Sequence, residues 1–177
     1  MLVALRQGLS TLDELLSMPF VADAQGGVKP HHVNLRTSQE FGDDETRDEV
    51  FGPVLAEFEA DRARLAQAIT MRYGKPRRKN LRPYFEDGAP PDEPGSSSFV
   101  YLTGWFLEID LWQVGDRGIV VEVGHWDKEL PLQLMLVVGD LSPRRRPRPL
   151  PHRRPYRPAL SKQAVEGKAT SPTEAAE

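Results

Sequence analysis

WFLEIDLWQVGDRGIVVEVGHWDKELPLQLMLVVG, running from Trp105 to Gly139, is the densest apolar and aromatic stretch of the chain and holds all three tryptophans: Trp105, Trp112 and Trp126. Leu107, Ile109 and Leu111 alternate with Glu108, Asp110 and Trp112, the period of two that marks a half-buried strand. Ile119, Val121 and Val123 alternate with Val120, Glu122 and Gly124 in the same way. Leu132, Leu134, Leu136 and Val138 continue the pattern after Pro131, which suits the first position of a strand because no ladder donor is needed there. Gln133, Met135 and Val137 make the other side of this third strand largely apolar too, so it is expected to be central or covered. Three consecutive strands with short connections predict an antiparallel meander.

The register of the first two strands turns on Gly115-Asp116-Arg117-Gly118. A two-residue loop at Asp116-Arg117 would set Trp112 opposite Val121 and oppose an apolar set to a polar one. A three-residue loop, Asp116 to Gly118, pairs Leu111 with Val123 and supplies a glycine where a left-handed residue is required. The latter is the expected register. It directs Glu108, Asp110, Trp112, Glu122 and Trp126 outward, and an acidic face with exposed tryptophan is a candidate contact surface. The plainer reading is that another element, such as the N-terminal segment, covers the tryptophans.

Upstream, Gly52-Pro53 is expected to open a long helix with Pro53 at the first helical position. Val54, Leu55, Phe58, Leu65, Ile69 and Tyr73 share one face, Glu59/Arg62 and Asp61/Arg64 fall at i,i+3 on polar faces, and Gly74 with Pro76 is a stop signal. This helix should pack on the inward face of the sheet, where both apolar sets lie. Near the N-terminus, Leu2, Leu5, Leu9, Leu12 and Leu16 form a helical seam interrupted by Gly8. Thr11 to Glu14 matches a capping box, which predicts a short helix from about Leu12 to Met18, closed by Pro19.

The fold class is therefore α+β: a long helix on an antiparallel sheet of three or more strands, with a short N-terminal helix. Residues 1–142 are read as one domain with flexible loops at about 22–49 and 86–98. Residues 143–177 are read as a disordered tail. Within it, Pro143 to Pro158 has seven arginines, six prolines and no acid, so it should be extended and polyproline-like. The charge divides at the same place. Residues 1–142 carry 14 basic against 23 acidic groups, a net of -9, and residues 143–177 carry 9 against 3, a net of +6.

Several chemistries find no support. With no cysteine there is no disulfide framework, thiolate metal site or cysteine nucleophile. No Gly-x-Ser-x-Gly elbow, P-loop or dinucleotide fingerprint is present, and no cofactor is expected. No apolar run approaches transmembrane length and the start does not read as a signal peptide, so the expected location is cytoplasmic, with no membrane contact. His125, Asp127 and Glu129 point the same way on an extended strand and are weak candidates for a divalent metal or acid-base site, with a polar turn as the simpler reading.

Arg72-Tyr73-Gly74-Lys75-Pro76 closes the long helix, and Trp112-Gln113-Val114-Gly115-Asp116-Arg117 is followed by His125-Trp126-Asp127-Lys128-Glu129-Leu130-Pro131. Over Val54 to Asp140 these segments resemble a group of small uncharacterised actinobacterial proteins. The resemblance implies no activity, site or cofactor.

Two functions follow as expectations. The first is a non-enzymatic, immunity- or adaptor-like module that binds another protein through the acidic and aromatic face. The alternative is a nucleic-acid-associated protein. It would use the basic cluster Arg77, Arg78, Lys79 and Arg82, which lies beside Tyr84 and Phe85, together with the tail arginines Arg144, Arg145, Arg146, Arg148, Arg153, Arg154 and Arg157.

Overall fold

A computed structural model describes residues 2–21, 28–41, 47–87, 93, 95–125 and 130–141, with side chains from Leu5 and, in the second segment of helix, from Glu49. Trp126, Asp127, Glu129 and the arginine-rich tail lie outside the described residues. In chain order the elements are α1 (Leu2–Ser17), β1 (His31–Thr37), α2 (Arg47–Tyr73), β2 (Arg77–Asn80), α3 (Arg82–Glu86), α4 (Ser96–Leu102), β3 (Glu108–Val114), β4 (Arg117–Gly124) and β5 (Gln133–Asp140). The strands form one antiparallel sheet in the order β1-β5-β4-β3-β2. The expected meander β3-β4-β5 is its centre, and β1 and β2 are the edges.

Both faces of the sheet are covered. On one face α1 and α2 bury Phe58, Leu65, Ile69, Leu12 and Leu15 against Trp112, Ile119, Val121, Leu134, Leu136 and Val138. On the other, Leu81, Tyr84, Phe99, Leu102 and Phe106 from α3, α4 and their flanks close over Ile109, Leu111, Val120, Met135 and Val137. The long helix therefore packs on the Ile119 and Val121 side as expected, but in β3 that side presents Trp112, and Ile109 and Leu111 face the other way. The Ile109 face is closed by two short helical segments, where the sequence reads mostly as loop.

The β3–β4 register corrects the expected one. Leu111 pairs with Val120 and Trp112 with Ile119, leaving a two-residue turn at Gly115-Asp116. The left-handed residue is Gly115, with φ +61°, and not Gly118. Gly118 is glycine for a different reason: a Cβ there would sit 2.8 Å from a Leu111 methyl and 3.0 Å from one of Leu141. Matching apolar sets on a single face could not select the register, because the sheet has two buried faces.

The helices also differ from expectation at their starts. α2 begins at Arg47, and Pro53 lies inside it. Its end is as expected, with Gly74 at φ +88° donating its N–H to the Thr70 carbonyl at 2.9 Å. α1 runs unbroken through Gly8 and past Thr11, so no capping box forms. Gly8 faces α2 and β1, where a Cβ would meet both Leu65 methyl groups at 3.4 Å and a Leu35 methyl at 3.6 Å, ordinary contact distances. The open carbonyls at the end of α1 are met by Arg117, whose Nη1 donates to Met18 O at 2.8 Å and Leu15 O at 3.4 Å.

Candidate functional site

The acidic residues expected on an open face are instead the counterparts of a buried cation. Phe58, Leu65 and Ile69 define the buried stripe of α2, and Arg62 occupies the intervening i+4 position, so its side chain runs under the helix toward the sheet. There its Nε donates to Glu122 Oε2 at 2.7 Å and its Nη2 to Asp110 Oδ2 at 3.1 Å and Glu122 Oε1 at 3.2 Å. Glu59 approaches the same guanidinium at 3.7 Å. Glu122 is 9% exposed, and its Oε1 also accepts the Asp110 backbone N–H at 3.1 Å, just past the last ladder pair of β3 and β4. The carboxylate thus satisfies a backbone donor where the strands part. Burial opposes the Arg62 charge, but the hydrogen bonds it donates to Glu122, with the attraction of Glu122, Glu59 and Asp110, hold its pKa above the ordinary arginine value.

Asp110 passes the chain of charges on to the edge strand. β2 pairs with β3 so that Arg78 lies opposite Asp110 and Asn80 opposite Glu108. Arg78 contacts Glu108 at 2.9 Å and Asp110 at 3.3 Å. Hydrogen bonds to Glu108 and then Asp110 raise the Arg78 pKa. On the opposite side of β2, Lys79 meets Glu93 at 2.8 Å and lies 5.0 and 4.9 Å from the ring centroids of Tyr84 and Phe99. The two surfaces that the sequence suggested separately, one acidic and one basic, are therefore neighbouring strands that neutralise each other. Arg77 and Arg82 have no carboxylate partner among the described residues.

Trp112 is 2% exposed and its Nε1 donates to Thr70 Oγ1 at 3.1 Å. Of the two readings, the plainer one holds for Trp112: another element, α2, covers it, and it is not available as an exposed contact residue. Of the acidic set, Glu108 remains open, with its side chain 53% exposed. His125 is exposed and packs its ring against Phe51 at 4.9 Å. Among the described residues no group of three His, Cys, Asp or Glu side chains is arranged to hold a metal ion. Among the described residues no helix is long and apolar enough to cross a membrane.

A second candidate surface was missed by the sequence reading. The outer edge of β1 is unpaired among the described residues. On the α1/α2 side, a groove of about 290 Å³ runs along it, floored by Leu5, Gly8, Val33, Leu35, Leu65 and Leu134. Its rim is fixed by Arg36, which reaches Asp61 at 2.6 Å and Glu57 at 2.8 Å. On the other side His32, Tyr101 and Trp105 form an aromatic trio. Tyr101 and Trp105 have centroids 4.7 Å apart, and the Tyr101 hydroxyl lies 3.2 Å from His32 Nδ1. The signal in the sequence was slight: Val33 and Leu35 alternate within HHVNLRT, and two histidines beside a polar flank read as loop. A register shift between Asn34 and Arg36 leaves Leu35 out of the ladder with β5.

No protein-family model, curated protein or solved structure matches this chain.

Proposed function

We propose that the protein is a non-enzymatic, adaptor- or immunity-like module of the cytoplasm that binds another protein by adding an extended segment of its partner to the outer edge of β1. The observation that carries this reading is the asymmetry between the two edges of the sheet. β2 has four residues, three of them cationic, the features that blunt an edge against pairing. β1 has seven residues with one charge, Arg36, and that charge is engaged by Glu57 and Asp61. A strand laid along β1 would gain backbone hydrogen bonds and place alternate side chains on the apolar groove and on the His32/Tyr101/Trp105 trio.

Burial is opposed and outweighed at Arg62 and Lys79, hydrogen bonds raise Arg36 and Arg78, Glu93 is lowered, and burial raises Tyr84 and Tyr101. Every one of these shifts fixes the protonation state a group already holds at neutral pH.

The test is affinity capture by the full chain from nuclease-treated host extract. It compares the parent with His32→Lys/Asn34→Lys at the β1 edge, with Glu108→Lys on the acidic margin, and with Arg77→Ala/Arg82→Ala. A defined partner lost at least tenfold with the β1 pair, and kept by the other two variants, is the expected outcome. Loss in the Glu108 variant alone would move the interface to the acidic margin. A partner retained by all three variants would end the β1 reading. The nucleic-acid alternative keeps one supporting observation: Arg77 and Arg82 have no carboxylate partner among the described residues. It requires binding that weakens steeply with salt and falls in the Arg77/Arg82 variant.

A further inference from the structure

We propose that a cleft on the Ile109 side of the β2–β3 edge is a binding site for a small molecule carrying one oxyanion, a carboxylate or a phosphate, on an apolar body. This site is separate from the β1 edge and does not depend on the protein-binding reading.

The cleft measures about 400 Å³, within the range of small-molecule sites. Its floor is apolar, made by Phe99, Leu111 and Leu141. Leu141 is pinned there because its N–H donates to the Asp116 carbonyl at 2.7 Å, while its side chain crowds the space above Gly118. Arg77, Lys79 and Glu93 line the walls together with Arg78, whose guanidinium is turned to the other side of β2 toward Glu108 and Asp110. This local excess of positive charge stands out against the net of -9 over residues 1–142.

The cations are not equivalent. Arg78 is engaged by Glu108 and Asp110, and Lys79 by Glu93. Arg77 has only a neutral partner among the described residues. Its Nη2 donates to Gln113 Oε1 at 3.0 Å, and Gln113 Nε2 donates in turn to the Gly115 carbonyl at 3.1 Å. This short relay from the turn orients the guanidinium without neutralising it. A fork of donors held in place beside an apolar floor is suited to a carboxylate or phosphate whose attached body rests on Phe99, Leu111 and Leu141. Because Lys79 and Glu93 already cancel, one anionic head balances the cleft.

The experiment is a titration of the isotope-labelled full chain with benzoate, phenyl phosphate, inorganic phosphate and benzyl alcohol, following the amide and arginine side-chain NMR signals. Saturable shifts at Arg77, Gln113 and Leu111 with benzoate or phenyl phosphate are expected, in the millimolar range or tighter. Which of the two binds more tightly identifies the head group. Arg77→Ala should weaken that binding by roughly tenfold to a hundredfold, the scale of a charge-assisted hydrogen bond, with the thermal midpoint unchanged. Arg82→Ala, which removes an exposed arginine outside the cleft lining, should leave it alone. The proposal is overturned if neither aromatic anion gives saturable shifts in the cleft, if benzyl alcohol binds equally well, or if Arg82→Ala weakens binding as much as Arg77→Ala.

Discussion

Replacing Arg62 by alanine strikes the point where helix and sheet share charge. The Arg62 side chain is 20% exposed, Glu122 11% and Asp110 28%, so the pair with Glu122 is largely removed from water. Removing one partner of a buried pair costs about 3–5 kcal/mol, because the other charge is left without compensation. Here the solvent reaching Asp110, and the Arg78 contact that survives, reduce the expectation to roughly 2–4 kcal/mol. Glu122→Gln should cost only about 1–2 kcal/mol, since an amide oxygen still accepts from the Asp110 N–H and Arg62 keeps Asp110 and Glu59. In the double variant Arg62→Ala/Glu122→Gln, the carboxylate that alanine alone would leave uncompensated is replaced by a neutral amide. Its cost should fall short of the sum of the single costs by about 1 kcal/mol or more. Equilibrium urea unfolding, followed by tryptophan fluorescence at constant m-value, measures all three. An Arg62→Ala variant within about 0.5 kcal/mol of the parent, the range of ordinary surface changes, would refute a buried network here. Strict additivity of the two single changes would refute their coupling.

Three further outcomes are expected. Trp112→Phe should lose about 2 kcal/mol, from the Thr70 hydrogen bond and the volume of the indole, while Trp112→Ala should lose about 3–5 kcal/mol, both read by urea unfolding. Gly8→Ala should gain up to about 1 kcal/mol of helix propensity, because the new Cβ meets Leu65 and Leu35 at ordinary contact distances, but Gly8→Leu should overpack the α1–α2 contact and cost about 1–3 kcal/mol in the same assay. Burial opposes the charge of Glu93, but hydrogen bonds from Lys79 and Tyr84 outweigh it and depress its pKa. A depressed carboxylate contributes stability that is present above the ordinary glutamate range and is lost as pH falls through the folded value. Thermal midpoints of the parent and Glu93→Gln should therefore differ at neutral pH and converge in acid; a constant difference would contradict the assignment.

The central strands were legible because their residues are repetitive and apolar, and a period of two survives whichever face is buried. The edges were not. Arg77 to Asn80 contains no apolar residue, and what holds it as a strand is the complement of Asp110 and Glu108 on its neighbour, a relation invisible along the chain. The register turns on one glycine: along the chain Gly118 looks like a conformational requirement, but it answers to the bulk of Leu111 and Leu141. The site followed the same logic. Arg62 was placed on a polar face by its spacing to Glu59, yet it stands four residues after Phe58 and three before Leu65, both in the core. A cation inside an apolar stripe, with Glu122 inside an apolar strand, was the available signal for a pair.

Glu59, Arg62, Asp110, Arg78 and Glu108 form an alternating string of charges from the long helix to the rim of the sheet. Such a string constrains inheritance. A substitution at any inner member strands a neighbour of opposite sign, so single replacements are penalised more heavily than matched ones. Lineages descended from this chain should therefore exchange positions 62, 78, 110 and 122 together, by charge swap or by joint loss of charge. The flanking carboxylates, which water can accommodate, should drift independently.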